Sequence, residues 1–153
     1  MTDYLALDLG TRTGVANNVE RLISSWSWNL APPRGVPGYG ARFRQFINCL
    51  DSQYAIFQPE HILYEEVRAH KGTRAAHIYG GFLAVLATWA EKHSIPMTGV
   101  GVGTIKRRIT GKGNASKQEV MEACKERGCN PKTYDEADAL ALLIGVLETE
   151  TTR

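Results

Sequence analysis

Four acidic residues lie among apolar neighbours, at spacings that suit a metal site. Asp8 ends one apolar run and Glu65 lies within another, while Asp135 and Asp138 stand three apart at the start of an apolar segment. On a helix these last two would share a face, about 5–6 Å apart at Cβ. A carboxylate in such surroundings is costly unless a cation pairs with it. Mg²⁺ binds carboxylate, water and phosphate oxygens, and two ions roughly 3.5–4 Å apart would serve phosphodiester hydrolysis.

Each acid alone has a simpler interpretation. Asp8 could begin a turn, Asp135 could cap a helix N-terminus, and Asp138 could pair with a surface lysine. Glu66 is expected to face away from Glu65, because neighbouring residues of a strand point to opposite faces. The order of a strand acid, a second strand acid and a helical Asp-x-x-Asp is more specific than any one of its members. We therefore predict a metal site formed by the four acids.

Positive charge is concentrated in the middle of the chain. Nine residues between Val67 and Gln118 are Lys or Arg and only Glu91 is acidic, although the net charge of the whole chain is +2. Such asymmetry is typical of a face that binds a polyanion, and a solvated basic surface is the alternative. The candidate DNA contacts are Arg68, His70, Lys71, Arg74, Arg107, Arg108 and Lys112.

The hydrophobic pattern predicts a single α/β domain. Short apolar or alternating runs predict strands at 4–7, 15–18, 23–30, 61–67 and 95–102. Helical spacing predicts helices at 41–52, 78–89, 104–108 and 134–147, and a further helix from Lys117 to Gly128 with Ser116 as its N-cap. The Pro- and Gly-rich segment 31–40 predicts a loop. This order implies a central mixed five-stranded sheet flanked by helices, in one domain over residues 1–153 with a polar tail from about 148.

Cysteine usage and hydropathy exclude several classes of protein. Cys49, Cys124 and Cys129 lack metal-type spacing, so neither a disulfide framework nor a zinc site is expected. No stretch approaches the roughly 20 apolar residues of a membrane helix, and no signal-peptide pattern is present. We expect a reduced, cytoplasmic protein with no membrane partner. The tryptophans are expected in the core rather than as base-stacking platforms: Trp26, Trp28 and Trp89.

Several segments resemble the motifs of the RuvC family of Holliday junction resolvases. LALDLGTRTG at 5–14 resembles the first motif, with Asp8 at the catalytic place. LYEEV at 63–67 resembles the second, with Glu65 at the catalytic place, and DEADALAL at 135–142 resembles the C-terminal motif whose two acids complete the metal site. The segment 104–117 resembles the family's lysine region, with Lys106 and Lys117 at its two lysine places. The resemblance covers nearly the whole chain, in order and at similar separations.

The resemblance implies an RNase H-like fold and a homodimer that nicks a four-way DNA junction at two symmetric positions. It implies Mg²⁺ as cofactor, with Mn²⁺ able to replace it, and two ions in each site. Two active sites related by a two-fold axis suit a substrate of the same symmetry. The second long predicted helix, 78–89, is the candidate dimer face, and the sequence does not indicate a helicase partner. The catalytic residues implied are Asp8, Glu65, Asp135, Asp138, Lys106 and Lys117.

The chain also departs from the family pattern. Leu9 replaces the proline that follows the first aspartate, and the turn is one residue shorter. Arg68 and His70 occupy the neighbourhood of the family's aromatic wedge, so a different or relaxed cleavage-sequence preference is expected. These departures and the compact size are typical of a divergent or phage-encoded member.

Other functions remain open at this point. The first motif also resembles the YqgF branch, which is tied to ribosomal RNA processing, so a nuclease acting on RNA or on general branched DNA is the main alternative. An actin-like or sugar-kinase ATPase would need two such domains. A junction-binding protein without catalysis would not need all four acids.

Overall fold

Strands and helices follow one another along the part of the chain that the structure, a computed structural model, describes, residues 1–152. The strands are β1 Tyr4–Asp8, β2 Arg12–Val19, β3 Leu22–Asn29, β4 His61–Glu66 and β5 Met97–Gly101. The helices are α1 Gly40–Ile56, α2 Thr73–Lys92, α3 Val102–Thr110, α4 Lys117–Glu126 and α5 Tyr134–Thr151. Every predicted strand and helix is present, with ends that differ by a few residues.

The sheet is mixed, as predicted, with the strand order β3-β2-β1-β4-β5. Strands β1, β2 and β3 pair antiparallel, as two successive hairpins. Strands β1, β4 and β5 pair parallel, with Leu7 opposite Tyr64. Because parallel strands end at the same edge of a sheet, the last residues of β1 and β4 lie side by side. Asp8 and Glu65 are thereby brought together from distant parts of the sequence.

The alternation of strand side chains divides the core into two clusters. Leu5 and Leu7 of β1 pack in the cluster that contains α1 and α2. Ala6 of β1 and Leu63 of β4 pack in the cluster that contains α3, α4 and α5. Two residues further along each strand the same face is reached again, so the Asp8 and Glu65 side chains are directed to the α5 side of the sheet.

Small side chains allow α5 to lie close against the sheet. Ala137, Ala139 and Ala141 on this helix are at most 1% exposed. At the start of the helix, the backbone of Asp135 lies so close to Gly14 on β2 that no side chain could fit there. This close approach places the first turn of α5 beside the ends of β1 and β4.

Two helices are longer than the sequence predicts. Helix α2 begins at Thr73 rather than at residue 78, directly after Gly72, whose φ of 96° is a conformation that favours glycine. Helix α5 continues to Thr151, beyond its predicted end at residue 147; residue 153 lies outside the described part. Glu148 forms a salt bridge with the guanidinium of Arg127, with Nε to Oε1 at 2.6 Å. This pairing gives the polar end of α5 a partner within the protein.

The tryptophans belong to the core, as predicted. Trp89 is 6% exposed, and Trp26 and Trp28 are half-buried against the same cluster. The Trp89 indole donates a hydrogen bond to Asp51 at 2.8 Å, so its one polar group is satisfied within the protein. Among residues 1–152, no helix combines the length and the apolar character needed to cross a membrane.

Candidate active site

An open cleft lies where β1 and β4 end beside the first turn of α5. It has a volume of about 330 Å³. All six residues that the sequence predicts to be catalytic line it: Asp8, Glu65, Asp135, Asp138, Lys106 and Lys117. Three apolar side chains complete the wall, two from α3 and one from α4: Val102, Ile105 and Val120. Acids, lysines and apolar groups from five elements thus meet in one place.

Three of the acids are close enough to share one cation. Carboxylate oxygens of Asp8, Glu65 and Asp138 all lie within 4.8 Å of one another. Asp135 lines the same cleft one helical turn before Asp138 but is not a member of this trio. Both aspartates of the predicted Asp-x-x-Asp pair therefore lie in the cleft. Asp138 belongs to the acidic trio, and Asp135 lies on the cleft wall.

Burial and mutual repulsion make these carboxylates difficult to ionise. Burial, together with the charges of Glu65, Asp138 and Asp135, raises the pKa of Asp8 well above its usual value. Burial and the charge of Asp138 raise the pKa of Glu65 to about 7. Burial likewise raises the pKa of Asp138 to about 6. Because burial and the neighbouring carboxylates raise the pKa of all three acids, the metal-free site favours protonated carboxyl groups.

The donor set fits a hard divalent cation. Three partly buried carboxylates that repel one another are the oxygen ligands that Mg²⁺ and Mn²⁺ prefer. A cation bound among them would neutralise the repulsion and favour the ionised carboxylates. No carboxylate of the trio is tied up in an ion pair within the described residues, so all three are available as ligands.

The two lysines reach the cleft from different helices. Lys106 lies in α3, and Lys117 is the first residue of α4. Both lower the pKa of Glu65 and of Asp138 through their positive charge. The start of α4 is fixed by the predicted capping box, in which Ser116 Oγ accepts from the Glu119 N–H at 3.1 Å and the Ser116 N–H donates to Glu119 at 2.7 Å. The cap thus holds Lys117 in place beside the acids.

The predicted DNA-contact residues lie outside the acidic cleft. In the described chain none of the seven lines the acidic cleft. Lys71, Arg74 and Arg107 are exposed, and the guanidinium of Arg74 lies 5.4 Å from the centre of the Tyr39 ring. Lys112 pairs with Glu119 at 2.9 Å.

Arg68 and Arg108 lie together on a different surface. Both line a second cleft, which also contains Glu66. Arg68 approaches Glu66 at 3.4 Å, and the stem of Arg108 packs against Gly145 of α5. As predicted, Glu66 is not one of the three clustered acids. His70 lies elsewhere in the basic loop, with its ring tilted against that of Tyr79.

Three residues that position the site were missed from the sequence. Thr133 is the N-cap of α5 and accepts from the Glu136 N–H at 3.2 Å, so the alternative of Asp135 as the cap is wrong. Thr133 and Glu136 have the same spacing as the capping box recognised at Ser116, and this signal could have found the cap. Gly14 makes room for the backbone of Asp135, and the Tyr79 hydroxyl bonds to the backbone of Glu65. Neither residue had such a signal, because these contacts join segments far apart in the sequence.

The fold matches solved RuvC structures over nearly its whole length. A Thermus thermophilus RuvC solved in complex with a Holliday junction substrate superposes with a TM-score of 0.82 at 19% identity, covering 99% of this chain and 96% of that one. The yeast mitochondrial Holliday junction resolvase gives a TM-score of 0.69 at 15% identity, covering 97% and 78%. The shared fold, with carboxylates at the ends of the central strands, defines the structural class of this chain, the RNase H-like fold.

Sequence comparison places the chain more narrowly within that class. The family model described as crossover junction endodeoxyribonuclease RuvC matches residues 35–146. A RuvC from Dehalococcoides mccartyi is 32% identical over 119 residues, covering 76% of this chain and 71% of that protein. One from Dictyoglomus turgidum is 28% identical over 141 residues, covering 90% and 89%. The chain belongs to the RuvC family of crossover junction endodeoxyribonucleases, which confirms the resemblance seen in its motifs.

Proposed function

We propose that this chain resolves four-way DNA junctions by paired, symmetric hydrolytic nicks, as a step of DNA recombination and repair. The observation that carries the proposal is the acidic cleft, in which carboxylate oxygens from β1, β4 and α5 approach within 4.8 Å of one another beside two lysines. The arrangement suits a reaction at a phosphodiester, whose negative charge increases in the transition state.

The four acids would hold two Mg²⁺ ions, with Mn²⁺ as a substitute. The chemistry that such ions supply is activation of a water molecule and neutralisation of charge on the leaving 3′ oxygen. Asp8, Glu65 and Asp138 form the shared ligand set, and Asp135 adds a carboxylate on the cleft wall.

The lysines and the apolar wall would act on the substrate directly. Lys106 and Lys117 place ammonium groups at the cleft, where they bind the scissile phosphate and stabilise the charge that develops on its oxygens. Val102, Ile105 and Val120 limit the water that reaches the acids, which strengthens these electrostatic interactions.

The surrounding basic residues would bind the arms of the junction through their phosphates. Lys71, Arg74 and Arg107 are exposed and free to contact the DNA backbone, which gives salt-sensitive affinity with little reading of sequence. His70 and Lys112 would extend this surface, and Arg68 and Arg108 would bind phosphates from the second cleft. Arg68 and Lys112 have carboxylate partners, Glu66 and Glu119, which they would exchange for phosphates.

A homodimer would place two such clefts on a junction at once. The surface between α1 and α2 is the face that we assign to it. A groove of about 460 Å³ there has a largely apolar wall that includes Ile47, Val85 and Trp89, and Ile47 is 38% exposed. Ile47→Glu should yield a monomer in light scattering, and its nicks in a junction should become single rather than paired. A dimer that survives this substitution would place the interface elsewhere.

We also place the protein in the cytoplasm. Its cysteines, Cys49, Cys124 and Cys129, are all free, as expected in a reducing compartment.

The first experiment is cleavage of a mobile synthetic four-way junction with Mg²⁺, beside a linear duplex and an RNA hairpin, with Asp8→Asn as the control variant. Symmetric nicks in the junction alone, lost in Asp8→Asn, would support the proposal. Equal cleavage of other branched DNA, or cleavage of the RNA, would be consistent with the metal site. It would favour the main alternative, a nuclease acting on RNA or on general branched DNA. Cleavage that survives Asp8→Asn would contradict the metal site itself.

A further inference from the structure

The hydroxyl of Tyr79 bridges two backbone groups at the end of β4. It donates to the carbonyl oxygen of Glu65 at 2.8 Å and accepts from the N–H of Val67 at 3.1 Å. The pairing of β1 with β4 extends only to Tyr64, so β4 is paired there on its other side, with β5, up to Glu66 opposite Gly101. The bridge therefore holds the strand end that carries one of the clustered acids.

The ring of Tyr79 is itself fixed on both sides. It packs against the α1–α2 core cluster, and the ring of His70 contacts it at a tilt of 44°, with centroids 4.8 Å apart. His70 belongs to the basic loop that leaves β4, between Val67 and Thr73. One side chain thus touches the core, the backbone of Glu65 and the loop proposed to contact DNA.

We infer that Tyr79 is a positioning residue for the metal site, holding the Glu65 carboxylate in place through the backbone of that residue. The inference depends on the proposed role of Glu65 as a metal ligand. The Glu65 oxygen must stay within 4.8 Å of oxygens from Asp8 and Asp138 against their repulsion. A ligand under such strain needs a rigid support, because a small displacement weakens metal binding.

Tyr79→Phe tests this inference. It keeps the ring, its core contacts and its contact with the His70 ring, and it removes the two hydrogen bonds of the hydroxyl. Mn²⁺ binding to the DNA-free protein is measured directly, by the electron paramagnetic resonance of free Mn²⁺. We expect binding about three- to tenfold weaker, the range that loss of ordinary hydrogen bonds produces. The Mg²⁺ concentration for half-maximal cleavage should rise by a similar factor, and saturating Mg²⁺ should restore most of the rate.

Two further measurements separate positioning from general damage. Amide exchange at Val67 should be faster in Tyr79→Phe, since its N–H loses an acceptor, while junction affinity without metal should change less than about twofold. Tyr64→Phe is the matched control: Tyr64 adjoins Glu65, and its hydroxyl makes no hydrogen bond within residues 1–152. It should leave Mn²⁺ binding at the wild-type level.

A Mn²⁺ titration of Tyr79→Phe that coincides with the wild-type curve would overturn the inference. Glu65→Gln, measured in parallel, distinguishes this failure from a failure of the proposed function. If Glu65→Gln weakens Mn²⁺ binding and abolishes cleavage while Tyr79→Phe changes neither, only the role of Tyr79 is wrong. If Glu65→Gln itself binds Mn²⁺ and cleaves normally, the metal site is wrong and the inference falls with it.

Discussion

The backbone carbonyl oxygen of Asp135 lies only 1.8 Å from the place that a β-carbon of residue 14 would occupy, so a methyl group at Gly14 would overlap it. Gly14 is also the residue opposite Asp8 in the β1–β2 hairpin. One glycine therefore sets the separation between the strand that carries Asp8 and the helix that carries Asp135 and Asp138. The requirement is for space, because the backbone of Gly14 has an ordinary conformation.

Gly14→Ala should inactivate the enzyme without removing any proposed ligand. The added methyl group must displace the first turn of α5, at a cost of about 1–3 kcal/mol in stability. A shift of this kind at a catalytic site lowers the cleavage rate by about a hundredfold. Junction cleavage and urea unfolding measure the two effects. Gly10→Ala, in the turn between β1 and β2, is the control, since its methyl group would meet only the Arg12 carbonyl at an ordinary 3.5 Å. Equal activity of the two variants would contradict the role of Gly14.

Asp138→Asn should abolish cleavage and yet stabilise the metal-free protein. Burial and the charge of Asp135 raise the pKa of Asp138 to about 6, so its charge at pH 7.5 is unfavourable without a cation. The neutral amide should raise the free energy of unfolding by about 1 kcal/mol, which is about 2–4 °C in Tm for a domain of this size. The cleavage rate should fall about a hundredfold or more. Thermal unfolding in EDTA checks the first effect, and wild-type cleavage by the variant would refute the ligand assignment.

The metal-free protein should lose stability as the pH rises through the weakly acidic range. The pKa of Glu65 is about 7 in the folded protein against an ordinary value of 4.5. Between these pH values the folded protein holds a proton that the unfolded chain has released, so raising the pH favours unfolding. Urea unfolding in EDTA at pH 5 and pH 7.5 should show this decrease, and Glu65→Gln should reduce it. Added Mn²⁺ should reverse the trend, because the metal binds only the folded state; stability that rises with pH in EDTA, equally in both proteins, would count against the shift.

Lys117→Met should lower the cleavage rate and move its pH dependence upward. The positive charge of Lys117 lowers the pKa of Asp8, Glu65 and Asp138, so its removal makes deprotonation and metal binding require a higher pH. Loss of a group that stabilises phosphate charge costs about 10²-fold in rate. The measurement is the cleavage rate from pH 6 to pH 9.

Lys125→Met is the control for this substitution. Lys125 lies on the same helix, exposed and 3.6 Å from Glu122, and does not line the cleft. Its pH profile should coincide with that of the wild type. An unchanged acidic limb in Lys117→Met would show that Lys117 does not influence the metal ligands.

The sequence predicted the parts of the site that depend on local pattern. The apolar runs before Asp8 and around Glu65 required strands, and the spacing of Asp135 and Asp138 required a shared helix face. Their meeting in one site was predicted from the order of the acids along the chain, and the resemblance to a family supported it. Strand order and register, which bring Asp8 beside Glu65, depend on pairing between segments far apart in sequence, and no local pattern encodes them.

What the sequence could not predict depends on tertiary contacts of two kinds. The polar residues after Leu147 gave no apolar pattern, but the pairing of Glu148 with Arg127 accompanies a helix that continues to Thr151. Arg68 and Arg108 were grouped with the DNA contacts by charge alone, although the fold places both in a second cleft beside Glu66. Charge along a chain predicts that a basic surface exists, and only packing decides which way each side chain points.

The clustered acids of the cleft lie in β1, β4 and α5, at the start, the middle and the end of the described chain. Hairpins and single helices form early in folding, and contacts between distant segments form late. No early fragment can therefore bring Asp8, Glu65 and Asp138 together. A partly folded chain therefore lacks the complete set of clustered acids, and the proposed cleavage requires the finished domain.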